Sequence, residues 1–234
     1  MRRIKAVFFD VDNTLYDTAK QAESARENAV KAMIEAGLGV DEKTALGTLK
    51  RLVRKYGSNY GFHYDRLLES FGMKPNPRIV SAGLVAYANA KAAYIVPYPE
   101  TVPTLIRLVG MGLKLGIISE GVPVKQWEKL IRLGVQHFFD VVVVLDGNTR
   151  GKKPELFLKA CAKVKCMPSE CMMVGDRLDR DIAGAKKAGL FTVQVATKKY
   201  SKIKPKDGSE RPDYVVGNLG DAIGVIERLN WRSR

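Results

Sequence analysis

Between Lys114 and Val195, short and almost wholly apolar runs alternate with amphipathic helical stretches, and no other feature of the chain restricts its fold as much. The order is "KLGIIS", "VKQWEKLIRLG", "VVVVL", "PELFLKACAKV", "CMMVGD", "RDIAGAKKAG" and "FTVQV". A strand with one wet face alternates polar and apolar residues, whereas an unbroken apolar run is buried on both faces. Strands of that kind separated by helices predict an α/β fold, a Rossmann-like parallel sheet with helices on both sides. "IKAVFF" at residues 4 to 9 supplies a first strand, and "DYVVG" followed by "LGDAIGVIERL" supplies a last strand and helix.

From Thr18 to Tyr94 no comparable strand occurs. Four helical patterns fill the interval: "AESARENAVKAMIEAG", "EKTALGTLKRLVRKYG", "HYDRLLESFG" and "PRIVSAGLVAYANAKAAY". The proline-punctuated "VPYPETVP" then leads back into the alternating region. The expected organisation is a core formed by residues 1–16 and 96–234 with an inserted α-helical cap at 17–95.

Right-handed crossovers place the C-terminal ends of all parallel strands on one edge of the sheet, where open α/β folds bind ligands. Polar residues stand at those ends. Asp10 and Asp12 close the first strand, Ser119 closes "KLGIIS", and Asp176 follows "CMMVG", with Asp181 at the next helix start. "GKKPE" adds Lys152 and Lys153 before a helix. Several acids, a hydroxyl and an ammonium on one rim fit metal-assisted phosphoryl transfer. A hard cation such as Mg²⁺ takes oxygen ligands and keeps room for a substrate phosphate. An aspartate can attack phosphorus, and a second carboxyl can protonate the leaving oxygen and later activate water. Any single Asp after a strand is more often a turn or cap residue; the convergence of distant segments carries the argument.

D-V-D-N-T-L at 10–15, Ser119 after an apolar strand, K-P at 153–154 and G-D-R-L-D-R-D at 175–181 resemble the four motifs of the haloacid-dehalogenase-like hydrolase superfamily. They occur in the family's order across nearly the whole chain, with a helical insertion after the first motif like the family's first-type cap. The resemblance implies Asp10 as nucleophile and Asp12 as general acid/base, both with a place in the Mg²⁺ shell. It implies Ser119, Lys153 and Gly121 around the transferring phosphoryl group, Asp176 as a direct metal ligand and Asp181 as support of the metal shell. Lys152 is then a neighbouring solvent charge. "DNTLYDT", "YGSN", "VPVKQWEKLIRLG" and "MVGDRLDRDIAGAK" are similar in particular to archaeal members that hydrolyse a triose phosphate, glyceraldehyde 3-phosphate. Glu120 departs from the family pattern, which commonly has Asn or Asp before Gly121; the expectation is that it turns away or meets a cation.

The implied activity is hydrolysis of a small phosphorylated metabolite through a phospho-aspartate. Haloacid dehalogenase and phosphomutase activities are the alternatives within the superfamily. A non-catalytic basic binding or regulatory protein is the alternative outside it, because 39 Lys and Arg against 25 Asp and Glu give a formal charge of +14. Those cations are scattered beside acids and not gathered in one arm, so no stable nucleic-acid partner is expected. No window approaches a membrane span or a signal peptide, and three cysteines without C-x-x-C spacing fit a reducing compartment. The expectation is a cytoplasmic monomer or small homo-oligomer. His63 and His137 are read as surface or structural residues, and Trp127 as packing.

Overall fold

The structure, a computed structural model, describes residues 3–58, 60–146, 151–196 and 203–231. It divides into two compact units, Met1–Asp17 with Val96–Arg234, and Thr18–Ile95.

The first unit opens with β1 (Ala6–Phe9), buried on every residue. The chain then passes through the second unit, α1 (Thr18–Glu35), α2 (Glu42–Tyr56), α3 (His63–Ser70) and α4 (Pro77–Ala93). Sequence chemistry sets these ends. Asp41 caps α2 by accepting from the Thr44 N–H, Asn76 accepts from Arg78 and Ile79 N–H at the start of α4, and Pro77 stands where a missing donor costs nothing. The helices close over Met33, Leu49, Leu67, Leu68 and Ile79, all fully or almost fully buried.

On its return the chain forms α5 (Thr101–Gly110), β2 (Lys114–Glu120), α6 (Pro123–Arg132) and β3 (Val141–Leu145). It continues with α7 (Pro154–Lys163), β4 (Cys171–Gly175), a π-helical turn (Leu178–Ile182) and α8 (Ala183–Lys187). The last elements are β5 (Phe191–Val195), β6 (Tyr214–Val216) and α9 (Asp221–Trp231). The sequence pattern did not announce α5, because Pro97, Pro99 and Pro103 mask it; Pro103 lies in its first turn, where proline is tolerated.

The six strands are all parallel in the order β3-β2-β1-β4-β5-β6. The chain runs outward on one side of β1 and then jumps to the other. Such a reversal opens a crevice at the carboxyl ends of the two strands that flank it. Phe9 is level with Ile117 of β2 and with Val174 of β4, so the residues that follow these three positions emerge together. Phe8, Ile118, Phe157 and Met173 fill the core below them.

Candidate active site

Asp10 leaves the end of β1 while its N–H still donates to the Val174 carbonyl at 3.0 Å. The backbone turns at once: Leu15 N–H reaches the Val11 carbonyl at 3.0 Å, and Asn13 takes φ 59°, the left-handed conformation that asparagine tolerates. That turn separates the two aspartates. Asp10 is buried, whereas Asp12 is half-buried, so they do not share one environment as they would on a continued strand.

β4 delivers Asp176, 1% exposed, and the π-helical turn brings in Asp181, also 1% exposed. Local π geometry is uncommon and is frequently found at functional sites. Here it permits the Arg177 N–H to donate to Asp181 Oδ2 at 3.0 Å. Gly175 is required for this approach, since any Cβ on it would collide with the Asp181 carboxylate. Carboxylate oxygens of Asp10, Asp176 and Asp181 lie within 4.8 Å of one another.

The lysine that the structure brings among these aspartates is Lys152, not Lys153. Lys152 is 4% exposed and donates to Asp10 Oδ1 at 2.6 Å and to Asp181 Oδ1 at 2.5 Å. Lys153 is exposed at the N-cap of α7. The residue before proline is held extended, with φ −72° and ψ 152° at Lys153, and neighbouring side chains of an extended segment point to opposite sides. Only one of the two lysines can enter. Gly184 lets the loop settle, because a side chain there would overlap the Lys152 carbonyl.

Burial raises the Asp10 pKa to about 7 against the lowering pull of Lys152, and burial followed by the charges of Asp181 and Asp10 raises Asp176 to about 8. Burial disfavours charge on Lys152, but Asp10 and Asp181 outweigh it and hold the ammonium above its usual pKa. Both oxygens of Asp176 are buried without a hydrogen-bond partner. Buried carboxylate oxygens rarely stay unsatisfied. Asp181 is different, since Lys152 and the Arg177 N–H occupy both of its oxygens. A hard divalent cation fits this donor set; Asp176 and the second oxygen of Asp10 could hold it directly, with Asp181 behind them.

Ser119, 1% exposed, stands near the end of β2. Gly121 does not offer its N–H to a phosphate, because that group donates to the Leu145 carbonyl at 2.9 Å. Its part is conformational: φ is +125° and a Cβ would lie 2.9 Å from Gln126 Nε2. Glu120 meets a cation as expected, accepting from Arg180 at 2.7 Å. A family model for the haloacid dehalogenase-like hydrolase matches residues 4–189. The chain belongs to the haloacid dehalogenase-like hydrolase family.

Within this family the chain is 45% identical over 229 residues to a glyceraldehyde 3-phosphate phosphatase of Methanopyrus kandleri, covering 97% of this chain and 98% of that one. It is 45% identical over 234 residues to the protein of the same name from Pyrococcus abyssi, covering 99% and 97%. The crystal structure of a HAD phosphatase from Thermococcus onnurineus superposes with a TM-score of 0.60 at 24% identity, over 95% of this chain and 98% of that one, and supports the fold. Three residues of this hydrolase's site escaped the sequence reading. The sequence points to Lys153 in place of its neighbour Lys152, and none of the four motifs marks Lys129 or Tyr16. Lys129 Nζ donates to Asp12 Oδ1 and Oδ2 at 2.8 and 2.7 Å, and the Tyr16 hydroxyl donates to Asp12 Oδ1 at 2.9 Å. The available clue was helical spacing, which puts Lys129 on the face of Gln126.

Proposed function

We propose that this hydrolase is a Mg²⁺-dependent phosphatase that releases phosphate from small phosphorylated metabolites, glyceraldehyde 3-phosphate first among them, through a phospho-aspartate. The single observation that carries this reading is the division of labour among buried charges. One ammonium spans Asp10 and Asp181, while both oxygens of Asp176 are buried and unpartnered. The names of the curated relatives support glyceraldehyde 3-phosphate as the substrate.

Bound Mg²⁺ supplies positive charge that lets an anionic phosphate approach anionic carboxylates. The protein's own groups do the rest. Lys152 orients the Asp10 carboxylate and offers its ammonium to an equatorial phosphoryl oxygen, with the Ser119 hydroxyl at the neighbouring strand end. A carboxylate oxygen of Asp10 bonds to phosphorus as the ester oxygen departs, taking its proton from the Asp12 carboxyl. Water then bonds to phosphorus, the Asp10–phosphorus bond breaks, and Asp12 takes the water's proton. The products are an alcohol and inorganic phosphate, and both aspartates are restored. We assign substrate selection to the helical unit at 18–95.

The test is phosphate release from a panel of sugar and triose phosphates, with and without Mg²⁺. Release that requires Mg²⁺ and is lost in Asp10→Asn is the expected result. Undiminished turnover in Asp10→Asn would remove the nucleophile, and transfer to a second sugar hydroxyl in place of water would favour a mutase. No helix among the described residues is long and apolar enough to cross a membrane.

A further inference from the structure

Among the described residues, the Asp12 carboxyl accepts three hydrogen bonds, all from groups outside the four motifs. Oδ1 accepts from the Tyr16 hydroxyl and from Lys129, while Oδ2 accepts, among the described residues, from Lys129 alone. The buried Tyr16 phenol is driven well above its usual pKa by burial and then by Asp12, so it remains a donor. Lys129 is itself fixed: it donates to Gln126 Oε1 at 3.3 Å, and Gln126 Nε2 donates to the Glu120 carbonyl at 2.8 Å. Gln126 is only 4% exposed, and the left-handed Gly121 leaves the space its amide occupies. Elsewhere on α6, Lys125 is exposed and Arg132 pairs with Glu128 on the outer surface. An ordinary exposed ion pair holds neither partner in one place. This one is anchored at both ends.

We propose that Lys129 is a positioning residue for the proton transfers of Asp12, tying that carboxyl through Gln126 to the turn that follows Ser119. The inference rests on the phosphatase reading above. Lys129 neither gives nor takes the proton. Tyr16 keeps Oδ1 in place, and exchange of the single Lys129 bond frees Oδ2. That oxygen gives its proton to the departing ester oxygen as the phosphorus–oxygen bond breaks. The same oxygen receives the proton of water as the new bond to phosphorus forms. The chain thus couples the placement of its acid to the strand end that carries the phosphate-binding hydroxyl.

The experiment compares two leaving groups in the Mg²⁺-loaded full chain, an alkyl phosphate that the wild type hydrolyses and p-nitrophenyl phosphate, whose phenolate departs without a proton. In Lys129→Met, first-turnover release of the alkyl alcohol is expected to fall about 10- to 100-fold, while the first-turnover burst of nitrophenolate stays within about threefold. Lys129→Arg recovers most of the loss, and adding Lys129→Met to Asp12→Asn costs less than about twofold further. Equal losses with both leaving groups would overturn the proposal, as would an unchanged rate. A raised KM at unchanged kcat would also overturn it, by showing that the ammonium binds substrate instead. If the wild type turned over neither ester, the phosphatase reading itself would fall, an outcome distinct from wild-type turnover with an indifferent Lys129→Met.

Discussion

The α/β unit and the helical unit bury their polar groups for different ends. In the helical unit the buried polar residues of the helices are Gln21 and Thr48, and each serves a contact within that unit. Gln21 donates to the Lys91 carbonyl at 2.6 Å, and Thr48 accepts from Arg51. Apolar packing around Met33, Leu67 and Leu68 accounts for the rest. The α/β unit instead gathers Asp10, Asp176, Asp181 and Lys152 at one sheet edge, where burial penalises every charge. Charges kept in a place that disfavours them point to the chemistry, and among the described residues the helical unit buries none.

The largest expected break in that comparison comes from the two adjacent lysines. Lys152→Met removes the ammonium between Asp10 and Asp181 and is expected to cut kcat about 10²- to 10³-fold. It also costs about 3–5 kcal/mol of stability, because it leaves buried carboxylates uncompensated. Lys153→Met, at the exposed N-cap, is expected to leave both quantities nearly unchanged. Kinetics and denaturant titration of the pair check this; equal effects would return the role to Lys153.

A purely structural counterpart lies in the helical unit. Leu67 is fully buried, and Leu67→Ala is expected to lower stability by about 2–5 kcal/mol, read by denaturant unfolding. Turnover of the folded fraction and its requirement for Mg²⁺ should persist. Loss of metal dependence would show that the two units do not divide structure and chemistry in this way.

A subtler contrast concerns pH. The folded-state pKa of Asp176 is raised to about 8 from an ordinary 3.8. Between those values the metal-free folded protein binds more protons than the unfolded chain, so its stability falls as pH rises through the window. Thermal melts should therefore show the metal-free protein less stable at pH 8 than at pH 5, and Mg²⁺ raising Tm more at pH 8. Asp176→Asn should flatten both trends. A melting temperature that climbs from pH 5 to 8 without metal would contradict the burial account.

Much of this arrangement was legible in the sequence, for reasons that differ by element. The parallel sheet followed from apolar runs such as "VVVVL" and "CMMVG", and the helical insertion from its long amphipathic stretches. Asp10, Asp176 and Ser119 were reachable because strand ends converge on one edge whatever the loops do. The choice between Lys152 and Lys153 was not, since the alternation of an extended segment says that one points inward without saying which. The tight turn at Asn13 and the π-helical turn before α8 leave no periodic trace, yet they decide where Asp12 and Asp181 stand. Lys129 lies 117 residues from its partner and looks, in sequence, like any other cation on an amphipathic helix.

The central claim is that Asp10 receives the phosphoryl group. Rapid acid quench of the Mg²⁺-loaded enzyme in its first turnover, followed by borohydride reduction, converts an aspartyl phosphate to homoserine that peptide mass mapping can locate. The account predicts this modification at position 10 and nowhere else. Reduction at another carboxylate, or none while phosphate is still released, would contradict it.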